Sequence, residues 1–135
     1  MCSMDNKTLN DAEKLYNKEQ FDQALKLYLQ VLNDVEEKDK VNILRRIAEC
    51  YIYEDQPDVD NALKYEEMVL EKIKNDEKSY LKEKMFYATI LAEKDEKKAL
   101  DIFNELEKII SEKYPELLPE LYNNMGLLLW NDKKA

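Results

Sequence analysis

Phe21-Asp22-Gln23-Ala24-Leu25-Lys26-Leu27-Tyr28 sets an aromatic, an alanine and a second aromatic at steps of three and four residues, which is one face of an α-helix. With Val31, Leu32 and Val35 continuing the stripe, this helix is predicted over about Phe21 to Asp34. Upstream, Leu9, Ala12, Leu15 and Tyr16 share one face of another helix, about Asn6 to Asn17. The polar link Asn17 to Gln20 is so short that the two helices must lie antiparallel and in contact. Ala12 and Ala24 are then the small residues that let the two backbones approach.

The same grammar returns along the chain. After the charged run Glu36 to Lys40, read as a break, a third helix over about Val41 to Tyr53 turns Leu44, Ile47, Ala48 and Tyr51 inward. Pro57 ends the link that follows, and Asp58 is positioned to cap a fourth helix, about Val59 to Ile73, carrying Ala62, Leu63, Tyr65, Glu66, Met68, Val69 and Leu70. A fifth helix, about Ser79 to Ala92, presents Tyr80, Leu81, the stem of Lys84, Tyr87, Ala88 and Leu91. Asp95 caps a sixth, about Glu96 to Lys113, with Ala99, Leu100, Ile102, Phe103, Leu106, Ile109 and Ile110. Pro115 and Pro119 bracket a turn, and a seventh helix, about Glu120 to Trp130, carries Leu121, Tyr122, Met125, Gly126, Leu128 and Leu129.

The small residues recur at near-constant intervals: 36 positions from Ala12 to Ala48, 40 to Ala88, 38 to Gly126, and on the second helices 38 from Ala24 to Ala62 and 37 to Ala99. On these residues the chain resembles the tetratricopeptide repeat family, helix-turn-helix units of ~34 residues that cannot bury their apolar stripes singly. Leu44, Ile47, Ala48 and Tyr51, and again Tyr122, Met125, Gly126 and Leu129, match the family's first-helix pattern; Phe21, Ala24 and Tyr28 match its second-helix pattern, and Ala99 with Phe103 match it in part. The resemblance implies an all-α, antiparallel helix-pair solenoid of about seven helices in three and a half repeats. Residues 1–135 would form one domain, with units about 6–36, 41–74, 79–114 and a partial 119–135. Two departures stand out: the units are longer than the family norm, and the family's proline after the second helix is missing from the first two. A plain helical bundle without repeat symmetry is the competing architecture.

Composition narrows the function. One glycine and three prolines leave little material for β-turns, so the fold class is all-α. A net charge of −9, with lysines interleaved among carboxylates, argues against nucleic acid and fits either a solvated surface or a basic partner. With no histidine and two distant cysteines, Cys2 and Cys50, no metal set or cofactor is expected. No Gly-rich loop and no nucleophile beside a base point to catalysis, so an enzyme is not expected. The first seven residues lack the apolar core of a secretory signal, and no run approaches a membrane span, so a cytoplasmic protein without a membrane partner is expected.

The function the sequence points to is a non-catalytic scaffold or adaptor for a protein or peptide. By resemblance, the first helices would line a concave face whose floor includes Asn10, Glu13 and Asn17, then Asn42, Arg45 and Arg46, then Lys82 and Phe86, then Asn123 and Asn124. Asparagines both donate and accept, Arg45 and Arg46 could fork onto a carboxylate, and Met85 with Phe86 would supply an apolar floor. The family's members that clamp acidic chaperone tails use Lys, Asn and Arg where this chain has Leu9, Glu13, Arg46, Lys82 and Phe86. Only Lys82 fits, which argues against that role. The alternative is a structural subunit that docks into a larger complex, or onto its own copy, through an apolar end made by Leu127, Leu128 and Trp130. That end lacks a capping helix, as would a piece cut from a longer solenoid.

Overall fold

A computed structural model describes the backbone of residues 2–134 and the side chains of residues 7–126. Among them the fold is all-α: α1 (Cys2–Asn17), α2 (Phe21–Val31), α3 (Glu37–Tyr53), α4 (Val59–Ile73), α5 (Glu77–Leu91), α6 (Glu96–Lys113), a single 3-10 turn (Pro115–Leu117) and α7 (Leu118–Lys134), with no strand. The chain divides into two compact units, Met1–Val69 and Leu70–Ala135.

The expected helix bounds of α4 and α6 match, while others shift for local reasons. α3 begins at Glu37, so the run Glu36 to Lys40 is mostly a first helical turn rather than a break. Glu37 and Asp39 there lie at the positive end of the helix dipole, where carboxylates are favoured. α2 stops at Val31, short of Asp34. Capping follows the expected residues where it was expected: Asp58 accepts from the Asn61 amide at 3.1 Å and Asp95 from the Lys98 amide at 3.0 Å. Asp76 does the same for α5, accepting from the Ser79 amide and from its hydroxyl.

In the first unit, α1 packs on α2 and α2 on α3. Tyr16 meets Phe21 beside the turn, and Glu13 meets Tyr28 one turn further away, so α1 and α2 run antiparallel. Their turn is closed by two backbone bonds, Glu19 N–H to the Tyr16 carbonyl and Gln20 N–H to the Leu15 carbonyl, each 2.9 Å. This is a Schellman closure, and it puts Glu19 at φ 61°, a conformation glycine occupies more readily. α1 and α3 also meet, Glu13 with Arg46 and Tyr16 with Glu49. Both partners advance together by three residues, so these two helices are parallel. The core of this unit gathers Ala12, Ala24, Leu25, Tyr28, Val31, Ile43, Ile47 and Cys50. Each fully buried large side chain among them contributes about 1.5–3 kcal/mol. α4 joins α3 through the stacked rings of Tyr51 and Tyr65 and the Asp58 N–H bond to the Tyr51 carbonyl.

In the second unit, α5 packs on α6, and α6 and α5 both touch α7. Glu77 at the start of α5 accepts from Lys113 and Tyr114 at the end of α6, which makes this pair antiparallel as well. Lys78 pairs with Glu116 at the same end. Lys84 is half-buried, its ammonium lying 4.7 Å from the centre of the Tyr87 ring.

The six alanines of the repeat pattern, Ala12, Ala24, Ala48, Ala62, Ala88 and Ala99, are all at 0 % exposure. Tyr28, Glu66 and Phe103, each four residues after a second-helix alanine, are at 0 % too. Some expected inward residues are not: Met68, Ile109 and Tyr122 are exposed, and Gly126 has nothing within 4 Å of where a Cβ would stand. Gly126 therefore does not mark a close helix approach as the alanines do. Ile43, Cys50, Glu83 and Ile90 are buried in addition to the expected stripe. A helix with neighbours on two sides needs a wider apolar face than one stripe.

Two comparisons follow from this packing. Ala24→Leu and Ala99→Leu should each lower stability in urea denaturation by about 1–3 kcal/mol through overpacking, while Gly126→Ala should hold or raise it by up to ~1 kcal/mol. Glu19→Gly should raise the denaturation midpoint, because it relieves the left-handed turn residue without disturbing either closing bond.

Candidate interaction face

On the first unit, the face shared by α1 and α3 is built around Arg46. The i, i+3 spacing within α3 sets Arg46 beside Glu49, and the parallel course of α1 brings up Glu13 and Tyr16. The Arg46 guanidinium donates to Glu49 Oε1 at 3.0 Å, lies 3.5 Å from Glu13 Oε2, and sits 4.2 Å over the centre of the Tyr16 ring. Tyr16 Oη donates to the same Glu49 oxygen at 3.0 Å, and Tyr28 Oη donates to Glu13 Oε2 at 2.7 Å. Two carboxylates, one guanidinium and two phenols thus satisfy one another across three helices.

The electrostatics agree. Burial pushes the Tyr16 hydroxyl well above its ordinary value, and the Glu49 carboxylate pushes it further. Burial and then the hydrogen bond to Glu13 do the same for Tyr28. For Arg46, burial works against the charge, but Glu49, Tyr16 and Glu13 together outweigh it and hold the guanidinium protonated. Beneath them, burial, Glu49 and Glu54 push the Cys50 thiol up to about 12, so it is a packed apolar group and not a nucleophile.

The expected site residues fall into separate positions. Glu13 and Arg46 are brought together, and that engagement turns Arg46 from a free clamp for a partner's carboxylate into part of the chain's own framework. Arg45 N–H donates to Asn42 Oδ1 at 3.1 Å on the exposed side of α3. Asn10 and Asn17 are exposed on α1. On the second unit, Lys82 and Asn123 are exposed and Phe86 is half-buried. Asn124 is half-buried, its side-chain amide 3.9 Å from Met85 Sδ. Met85 itself is buried, so it is core and not an accessible floor. Leu127, Leu128 and Trp130, the expected docking end, lie outside the described side chains.

Sequence reasoning missed Tyr16 and Tyr28 as members of this face. The i, i+3 pair Arg46 and Glu49 was legible; the cross-helix partners Glu13 and Tyr16 required the parallel placement of α1 and α3. No family model, curated protein or solved structure matches this chain. Among the described residues no helix is long and apolar enough to cross a membrane, and no group of carboxylates and cysteine is arranged to hold a metal ion.

The raised phenols set the direction of an alkaline transition. Each is protonated more tightly in the folded chain than in the unfolded one, whose tyrosines titrate near 10. Their contribution is therefore complete below pH about 10 and is lost as pH rises through the higher folded values. Stability followed by circular dichroism should fall from pH about 10 upward, and Tyr16→Phe with Tyr28→Phe should flatten that fall while lowering stability at pH 7. In a Cys2→Ser variant, native Cys50 should react with a thiol reagent at pH 8 only at the rate set by unfolding, and at once in denaturant.

Proposed function

We propose that this chain is a degenerate tetratricopeptide-like solenoid of three and a half helix pairs, acting as a non-catalytic cytoplasmic scaffold that holds an extended segment of a partner protein along its first helices. It takes no cofactor and binds neither nucleic acid nor membrane. The observation that carries this reading is the register of burial. All six alanines of the repeat pattern, and all three residues four positions beyond the second-helix alanines, are fully enclosed. Ordinary core spacing in an asymmetric bundle gives no reason for nine residues in matching positions to share one environment.

The parallel meeting of α1 and α3, and the contact of α5 with α7, add support. Both are first-helix to first-helix contacts of the kind that stacked helix pairs make. With Arg46 engaged internally, the exposed groups of the first helices that a ligand would meet include the amides of Asn10, Asn17, Asn42 and Asn123 and the ammonium of Lys82. Amides arrayed on a rigid helix face hold a peptide backbone through paired donors and acceptors without demanding much of its side chains.

A displayed library of random linear peptides, selected on the purified protein, tests the reading. Enriched peptides should lose affinity by roughly two- to tenfold with Asn10→Ala, Asn42→Ala or Lys82→Ala, the scale of one hydrogen bond. Lys26→Ala on α2 should change nothing. Binders insensitive to all three first-helix substitutions, or an absence of enrichment, would overturn the proposal.

A further inference from the structure

The aromatic side chains of the first unit form a row that begins at Arg46. Its guanidinium lies over Tyr16; the Tyr16 ring meets Phe21 edge-on with centroids 5.4 Å apart, and Phe21 meets Tyr53 at 5.7 Å. The two ends of this row differ. At Tyr16 the chain supplies its own cation, backed by the carboxylates of Glu13 and Glu49. At Tyr53 the ring is 51 % exposed, the most open of the large apolar side chains described.

The charges that act on Glu54 are of one sign. Among the described residues, the charged groups acting on Glu54 are Asp22, Asp58 and Asp55, and the one acting on Tyr53 is Glu49. Burial first, then those three aspartates, push the Glu54 carboxyl above its ordinary value. Asp58 is occupied with capping α4, and Asp22 and Glu54 are the chain neighbours of the two rings that meet at this end.

We propose that the Tyr53–Phe21 surface, flanked by Glu54 and Asp22, is a docking site for an arginine side chain of a partner protein. The occupant follows from charge complementarity and from the chain's own example. Arg46 on Tyr16 combines ring stacking with carboxylate hydrogen bonds, and the Tyr53 end likewise sets an open ring beside acidic residues. A guanidinium can lie flat on the ring and still direct its edge donors to carboxylates at the rim; an ammonium cannot do both. The site belongs to the start of α2 and the end of α3, and it stands whether or not the first-helix face holds a peptide.

The test uses a fluorescein-labelled hexapeptide of alternating glycine and arginine, with lysine and citrulline counterparts, in anisotropy titrations against the full chain. The arginine peptide should bind, the lysine peptide more weakly, and the citrulline peptide not measurably. Glu54→Gln and Tyr53→Ala should each weaken arginine binding by roughly fivefold or more. Tyr53→Leu keeps an apolar surface without the ring face, and should lose binding equally, which separates ring recognition from loss of folding. Glu105→Gln, the same change of charge on the exposed side of α6, should leave binding within about twofold. The proposal is overturned by equal weakening in Glu54→Gln and Glu105→Gln, which would mark mere attraction to a chain of net charge −9. Equal binding of the lysine or citrulline peptide, or no arginine binding at all, would overturn it too.

Discussion

Two helix backbones can come close only where a side chain is small enough to vanish between them, and the six alanines of the register are all fully enclosed. Ala12 with Ala24, Ala48 with Ala62, and Ala88 with Ala99 are enclosed completely. Interaxial distance in packed helices is set by the side chains at the contact, at about 8–10 Å. Once an alanine fixes the near point, the residue one turn later on the second helix is carried into the interior whatever its chemistry. That is why Tyr28, Glu66 and Phe103 share full burial although one of them is a carboxylic acid.

From that crossing follows the framework on α1 and α3. With α2 packed against both, Glu13 and Tyr16 are held opposite Arg46 and Glu49. Arg46 is then enclosed by partners that satisfy its donors and its ring face together, and freeing it for a ligand would leave two partly buried carboxylates without their cation. Such a group orders a surface more than it offers one.

Much of this was legible in the letters, and the failures have a common cause. The alanine register, the helix count and the caps at Asp58 and Asp95 are local features, readable from spacing and turn chemistry. The run Glu36 to Lys40 was misread because charge density resembles a break, whereas acidic residues at a helix start are favoured by the dipole. Met68 and Tyr122 lie on the apolar stripe by periodicity yet are exposed, and Met85 was read as surface yet is buried. One-dimensional periodicity reports which residues share a face but not how many neighbours that helix will have. The partners of Arg46 divide in the same way: Glu49 lies in the local sequence, but Glu13 and Tyr16 are 33 and 30 positions upstream, reached only through tertiary placement.

The asymmetry of the aromatic row has a structural origin that argues for its meaning. Tyr16 is met by a helix that continues past it, so α3 can supply Arg46 on one turn and Glu49 on the next. Tyr53 is the last residue of α3, and Glu54 after it is extended, at φ −71° and ψ 166°. No further turn exists to bring a residue back over that ring, and the positions where one would have stood are Gln56 and Pro57, neither of them basic. The helix that could have furnished an internal cation ends about one turn too early, while the acidic neighbours Asp22 and Glu54 remain beside the two rings in the chain. A surface carrying half of an interaction that the chain completes elsewhere with its own arginine is most simply completed here by an arginine from outside.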